Sequence, residues 1–263
     1  MKIAIIGAGN MGKAIVHGLY ESGLCRAEDL FVADVSQENL NSIKEIDEKI
    51  FTTLNNREAV QTANYVLLAV KPWMVESVIT LLKPALSAVQ HVVISIAAGV
   101  SLRTIADKVG DDFTLFHVLP NTAISIRESM TFISSLNASK EQEESVSTLF
   151  GKLGKVLLIS ESAMGAFTSI SSCGIAYALR YLRAATQGAV ELGIQPGVAQ
   201  EVIAQTMIGA AQLILKNQSN PESEIDKVTT PGGWTIKGLN TMEEHGFSNA
   251  VIKGIKANGN FEI

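Results

Sequence analysis

The chain has little cysteine, few aromatics and no block of like charge. Its two cysteines, Cys25 and Cys173, stand far apart and fit neither a disulfide framework nor a metal-ligand spacing. A reducing compartment is the expectation. His17, His91, His117 and His245 have no matching partners in sequence, so each reads as structural or surface and no metal centre is expected. The net charge of −5 comes without a basic stripe, which removes the electrostatic reason to bind nucleic acid. No uninterrupted apolar run reaches the roughly 18 residues of a membrane span, and the first strand-like run begins at Lys2, with no room ahead of it for a signal peptide. A soluble, cytoplasmic protein without a membrane partner is expected. At 47% hydrophobic and 18% charged over 263 residues, the composition is globular and sufficient for one large core or two moderate ones.

What is present begins at Lys2 to Ala14, KIAIIGAGNMGKA. An apolar, β-branched-rich run (Lys2 to Ile6) leads directly into Gly7, Gly9 and Gly12 at the spacing G-x-G-x-x-G, with Ala8, Asn10 and Met11 between them. Each glycine has a mechanical reason: the first for a sharp turn, the second for backbone approach to a pyrophosphate, the third for close helix–strand packing. A helical pattern (Met11, Ile15, Leu19) follows, and Asp34 ends the next strand-like run 22 positions after Gly12. Together these predict a dinucleotide site. A carboxylate at Asp34 suits two ribose hydroxyls and repels a 2′-phosphate, and no arginine follows within Val35 to Leu40. The residues alone therefore lean toward NAD; the alternative is that Asp34 caps a turn.

Strand-like and helical patterns then alternate. Strands are expected at Leu30 to Asp34, Tyr65 to Val70, His91 to Ala97, Thr114 to Leu119, Met130 to Ser134 and Lys155 to Ile159. Helix starts are legible at Ser36 before Gln37 to Ile46, at Ser101 before Leu102 to Val109, and at Ser139, which with Gln142 forms a capping box. This rhythm predicts an α/β fold, a mainly parallel sheet covered on both faces, whose ligands bind beyond the carboxyl ends of the strands. Ala69-Val70-Lys71-Pro72, Ala97-Ala98-Gly99 and Pro120-Asn121-Thr122 fall at those ends.

From about Glu161 no strand pattern recurs, which divides the chain into residues 1–160, a Rossmann dinucleotide-binding domain, and 161–263, an all-helical domain. Helices are expected at Met164 to Leu192, Pro196 to Lys216, Glu222 to Val228, Trp234 to His245 and from Ser248. Between Val198 and Leu215 the one formal charge is Glu201, so that helix is apolar nearly all round and must be covered on most sides. Some hundred residues are too few to hide it alone. A homodimer with interlocking helical halves is expected.

Val228 to Ile236, VTTPGGWTI, places a proline and two glycines immediately before a helix, leaving its first N–H groups free to meet a carboxylate. Taken alone it reads equally as a glycine-rich helix start with a capping threonine. In order along the chain, GAGNMG, AVKP at Ala69 to Pro72, SIAAGVS at Ser95 to Ser101, LPNT at Leu119 to Thr122 and TTPGGWTIKGL at Thr229 to Leu239 give a sequence that resembles pyrroline-5-carboxylate reductase, the last enzyme of proline biosynthesis. The resemblance runs over essentially the whole chain. PGG-x-T is its most specific piece.

The resemblance implies an NAD(P)H-dependent oxidoreductase acting on a C=N bond, with nucleotide contacts at Gly7 to Gly12, Asn56, Ala69 to Pro72 and Ile96, Ala97 and Ala98. It implies substrate contacts at or beside Glu161, Lys227, Thr230, Gly232, Gly233, Trp234 and Thr235, with the Thr235 hydroxyl near the imine nitrogen as the candidate catalytic group. It also implies a dimer, which can assemble further to a decamer, and leans toward NADP where Asp34 leans toward NAD. Several positions depart from the family pattern: His117 stands where arginine is common, Ala123 where proline is, and Glu128-Ser129 where glycine usually precedes Met130. Ile175 replaces a proline, Lys227 an asparagine, and Trp234 a threonine or alanine. Trp234 can narrow the pocket or pack outward on a dimer partner. Of the rivals, a 3-hydroxyacid-type dehydrogenase wants a lysine in the first long helix of its second domain, and Met164 to Leu192 contains none. A nucleotide-binding paralogue without turnover is the rival of a different class. A membrane-linked regulatory subunit is disfavoured, because such modules usually stop after the Rossmann half.

Overall fold

The computed structural model describes residues 1–258, in two compact units that divide after Ser172. The first unit holds one sheet of eight strands: β1 (Ile3–Ile6), β2 (Leu30–Ala33), β3 (Phe51–Thr53), β4 (Tyr65–Leu68), β5 (Val92–Ser95), β6 (Thr114–Leu119), β7 (Ser129–Leu136) and β8 (Gly154–Leu158). Their order is β3-β2-β1-β4-β5-β6-β7-β8, parallel throughout except for the antiparallel pair β6–β7. The first six strands follow the doubly wound nucleotide-binding order, whose direction of winding reverses between β1 and β4 and opens a crevice at their carboxyl ends.

The helices are α1 (Asn10–Glu21), α2 (Gln37–Lys44), α3 (Asn56–Val60), α4 (Val75–Leu82), α5 (Leu102–Val109), α6 (Lys140–Gly151) and α7 (Met164–Ile170). Period-2 alternation sorts the side chains of β1 into two layers. Ile3 and Ile5 pack with Ile15 and Leu19 of α1 and Phe150 of α6, while Ala4 and Ile6 pack with Ile79 of α4 and Ile105 of α5. Both faces are therefore buried, and the parallel strands read as continuous apolar runs for that reason. The expected caps are formed: Ser36 accepts from Asn39 N–H, Ser101 from Thr104 N–H, and Ser139 with Gln142 closes a full capping box.

Two readings change. β3 was not expected: it is three residues long, sits at the sheet edge, has no alternation of its own and is held by pairing with β2. The single helix expected over Met164 to Leu192 is broken at Ser171 into α7 and α8 (Ser172–Glu191). Hydroxyls hold the break open. Ser171 donates to the Met130 carbonyl at 3.3 Å and accepts from the Asn121 amide at 3.1 Å, and Ser172 donates to the Pro120 carbonyl at 3.4 Å. Serines that bond to groups outside their own helix compete with its ladder. Met164, with Leu119 and Phe132, forms a small core of the first unit, so the segment after Glu161 packs as part of that unit.

The second unit continues with α9 (Pro196–Asn217), α10 (Pro221–Asp226), α11 (Trp234–Glu244) and α12 (Phe247–Lys256). Among its described residues the one buried apolar side chain is Ala199, while Val202, Ile208 and Leu215 on α9 are all more than half exposed. Although the sequence shows no uninterrupted apolar run of membrane length, α9 is long and apolar enough to span one by length and mean hydropathy (1.3). Gln200, Glu201, Gln205, Thr206 and Gln212 interrupt the run, and the aliphatic residues between them keep the mean high. Within the unit, Tyr181 meets Phe247 edge-on at 6.4 Å beside a groove of about 650 Å³ between α8, α11 and α12.

Candidate functional site

The crevice at the carboxyl ends of β1, β2, β4 and β5 is a groove of about 630 Å³. It is lined by Gly7, Gly9, Asn10, Met11, Asp34, Asn56, Ala69, Val70, Lys71, Pro72, Ile96, Ala97 and Ala98, together with Ile6, Ala33, Val35, Asn39, Met74 and Val78. Volume and lining suit an extended nucleotide.

The three glycines differ in what surrounds them. Gly7 holds φ at +105°, and a Cβ there would lie 2.7 Å from the Ala69 carbonyl oxygen, so both backbone and neighbour require glycine. A Cβ on Gly12 would lie 2.0 Å from the Gly7 carbonyl oxygen; α1 packs directly on the turn it leaves. A Cβ on Gly9 would meet nothing within 4 Å. That emptiness faces the groove, at the N-cap of α1, whose first N–H groups have no intrahelical acceptor. Backbone donors, a helix N-terminus and open space make a pyrophosphate cradle, and Lys71 is the one cation in the lining. The residues present fit a nicotinamide dinucleotide.

Gly12 and Ala8 do not line the groove; they shape it. Ala8 N–H donates to the Asp34 carboxylate at 2.6 Å, and the other Asp34 oxygen accepts from Ser36 N–H at 2.8 Å and from the Asn39 amide at 3.2 Å. Asp34 thus joins the glycine turn to the head of α2, and the turn-capping alternative is part of its structure. It nevertheless lines the groove, leaving a carboxylate on its wall. Val35, Asn39 and Met74 were not anticipated as lining residues. Val35 and Asn39 follow the acidic residue into α2, and Met74 ends a short 3-10 turn after Lys71; the sequence signal for each is only its place next to an anticipated residue.

Glu161 stands on a short turn in the first unit. Its Oε1 accepts the Leu102 N–H at 2.6 Å and lies 3.5 Å from Nδ1 of the fully buried His117, whose Nε2 is 3.1 Å from the Ala97 carbonyl oxygen. Burial pushes the Glu161 carboxyl up, but His117 and the Leu102 N–H outweigh it and hold the group below the ordinary carboxylate range. Sequence reasoning left His117 without a partner; the fold supplies one from 44 positions along the chain.

The remaining anticipated residues lie in the second unit, around the start of α11. Gly232 takes φ of +72°, Gly233 is the N-cap, and Gly233 N–H donates to the Thr230 carbonyl at 2.9 Å. A Cβ on Gly233 would lie 2.5 Å from the Thr230 hydroxyl, so Thr230 packs over the helix entrance and would have to shift for any larger residue there. Trp234 is 92% exposed and Thr235 is exposed within its unit. Lys227 pairs with Glu224 at 2.8 Å. The start of α11 presents unpaired N–H groups and a hydroxyl on one short stretch, which suits an anion.

Two family models match the chain. Residues 161–260 match the family model for pyrroline-5-carboxylate reductase dimerisation, and residues 2–99 match that for NADP oxidoreductase coenzyme F420-dependent. Pyrroline-5-carboxylate reductases 1 and 2 of Dictyostelium discoideum are each 35% identical over 96% of this chain, which spans 48% of the first and 89% of the second. Among solved structures, a pyrroline-5-carboxylate reductase from Coxiella burnetii is 29% identical with a TM-score of 0.90, covering 98% of this chain and 96% of that one. The Plasmodium falciparum pyrroline carboxylate reductase with NADP bound is 25% identical with a TM-score of 0.88, covering 98% and 95%. With relatives at this identity matched over nearly its whole length, and with the glycine turn and the PGG-x-T helix start both in place, the chain belongs to the pyrroline-5-carboxylate reductase family.

Proposed function

We propose that the protein reduces 1-pyrroline-5-carboxylate to proline with a nicotinamide coenzyme. The observation that carries the reading is the built nucleotide groove in a chain matched over nearly its full length by family members. A reduced nicotinamide, when bound, supplies the hydride. The chain supplies placement. Gly9 and the first turn of α1 take the pyrophosphate, and Asp34 takes the ribose hydroxyls, whose recognition by a carboxylate favours NADH over NADPH. The walls at Ala69–Pro72 and Ile96–Ala98 orient the ring.

In this reading the N–H groups from Gly232 to Thr235 grip the substrate carboxylate, Thr230 and Lys227 flank them, and the Thr235 hydroxyl hydrogen-bonds the ring nitrogen. A cyclic imine is basic enough to take a proton from solvent, so the iminium accepts hydride without a Ser/His/Asp or Lys/His set. Catalysis then rests on holding the reacting atoms within about 3 to 3.5 Å. The exposed apolar surface of α9, in a segment matched by the dimerisation family model, supports a homodimer in which the helical units cover one another, in keeping with a soluble cytoplasmic enzyme. A decamer built from such dimers is the further assembly proposed.

Initial rates with NADH and NADPH, against pyrroline-5-carboxylate and its six-membered homologue piperideine carboxylate, test the reading. Turnover of the five-membered substrate, faster with NADH, is expected. Coenzyme binding without oxidation when either imine is added would instead select a non-catalytic sensor.

A further inference from the structure

The Asp34 carboxylate has most of its accepting capacity spent inside the protein. An ionised carboxylate accepts about four hydrogen bonds, shared between its two oxygens. Oδ1 takes the Ser36 N–H at 2.8 Å and the Asn39 amide at 3.2 Å, and Oδ2 takes the Ala8 N–H at 2.6 Å. What remains open is a site on Oδ2. A ribose diol brings two hydroxyl donors, so a carboxylate held in this way serves one of them and leaves the other to find its acceptor elsewhere. Being tied to the glycine turn through one oxygen and to the head of α2 through the other, the group is also kept from turning both oxygens to the diol.

Asn39 is placed to be that acceptor. It stands in the first turn of α2, half-buried, and lines the groove together with Asp34. Because a carboxylate can only accept, the amide must turn Nδ2 toward Asp34, which leaves its own Oδ1 as an accepting atom, bonded to no donor among the described residues. Of the other polar side chains in the lining, Lys71 can only donate, while Asn10 and Asn56 open α1 and α3 and have no bond to Asp34. We propose that Asn39 is a second coenzyme-binding residue of the ribose site: its amide oxygen accepts one hydroxyl of the adenosine ribose while Asp34 Oδ2 accepts the other. The bond between the two side chains then does two things, fixing the carboxylate and setting which atom the amide offers. A 2′-phosphate has no hydrogen to give whichever of the two oxygens meets it, so the pair favours NADH as a unit.

This inference rests on the coenzyme reading proposed above and deepens it, so its test is kept independent of substrate turnover. Calorimetric titration of the full chain gives dissociation constants for NADH and for two NADH analogues, one lacking the 2′-hydroxyl and one the 3′-hydroxyl of the adenosine ribose. Asn39→Leu should weaken NADH binding roughly three- to tenfold, the range for one hydrogen bond. The same loss should persist with one analogue and vanish with the other, because the variant and that analogue delete the two ends of a single contact. Asn39→Ala, which removes the amide without adding apolar bulk, should repeat the pattern and decides the matter if the leucine variant does not fold. Unchanged NADH affinity in both variants overturns the proposal. So does a loss of equal size with both analogues, which would make Asn39 a prop for Asp34 and nothing more, or a hydroxyl-selective loss found in Asn56→Ala instead. Absent turnover with pyrroline-5-carboxylate, alongside the hydroxyl-selective loss at Asn39, would sink the function and leave the ribose site standing.

Discussion

Gly9→Ala separates binding from folding at the nucleotide turn. Gly9 has φ −67° and ψ −173°, a conformation any residue adopts, and the added methyl would meet no protein atom within 4 Å. The free protein should lose no more than about 0.5 kcal/mol, the range for substitutions that touch nothing. The same methyl would occupy the space where the pyrophosphate approaches the α1 N–H groups. Displacing the phosphate from one such contact removes a hydrogen bond to a charged group, worth about 1.5–3 kcal/mol. At about 1.4 kcal/mol per tenfold, coenzyme affinity should fall by roughly ten- to a hundredfold.

Gly12→Ala is the control. Its methyl would lie 2.0 Å from the Gly7 carbonyl oxygen, which is backbone and cannot turn aside, so the free protein should lose about 1–3 kcal/mol or more. Thermal or urea unfolding without coenzyme, beside calorimetric titration with NADH, reads both quantities for both variants. A Gly9→Ala protein with wild-type coenzyme affinity, or one destabilised as much as Gly12→Ala, would refute the assignment of open space to the phosphate.

Asp34→Ser removes a charge from the ribose end of the groove while keeping a hydroxyl. The ratio of kcat/KM for NADPH to that for NADH should rise about fivefold or more, from a like-charge repulsion of about 1–4 kcal/mol; an unchanged ratio would remove Asp34 from coenzyme choice. Thr235→Ala should lower kcat with pyrroline-5-carboxylate, and kinetics identical to wild type would end the proposed role for its hydroxyl. On α9, Ile208→Asp places a carboxylate on a side chain more than half exposed within its own unit, so the unit should fold while size-exclusion chromatography shifts toward monomer. The Glu161 carboxyl is held below its ordinary range, so its stabilisation is present above that range and lost as pH falls through the lowered value. The melting temperatures of wild type and Glu161→Gln should therefore converge on acidification, and a gap that stays constant with pH would show that the carboxylate charge does not matter.

What could be read from the chain depended on how local its cause was. The glycine turn, the Ser36, Ser101 and Ser139 caps and the strand β6 are set by residues within one or two turns of each other, and their positions were legible. β3 was not, because an edge strand of three residues takes its conformation from β2. Nor was the break at Ser171: the helical periodicity runs through it, and the bonds that hold it come from Asn121 and the carbonyls of Pro120 and Met130, more than 40 positions away. At the groove, the sequence found the residues that the glycine spacing and strand ends imply. Val35 and Met74 are marked there only by standing close to Asp34 and Pro72, because they reach the groove through turns lacking a fingerprint.

The same non-locality changes the meaning of Glu161. By texture it opens the helical half, and the dimerisation family model also begins there. By contact it belongs to the nucleotide-binding unit: Met164 is fully buried in a core with Leu119 and Phe132, and Glu161 itself is bonded to the head of α5. The ten residues from Glu161 to Ile170 are consequently anchored in the unit that holds the coenzyme groove, while the chain has already left the strand pattern. Glu161 is thus braced against the β5–α5 wall of that groove. The two places are linked by a short path: the Leu102 N–H bond to Glu161, the 3.5 Å approach of Glu161 to His117, and His117 beside the Ala97 carbonyl. Placing the functional boundary at 161 and the compact boundary after Ser172 is therefore no contradiction: the intervening segment is matched by one half and packed by the other.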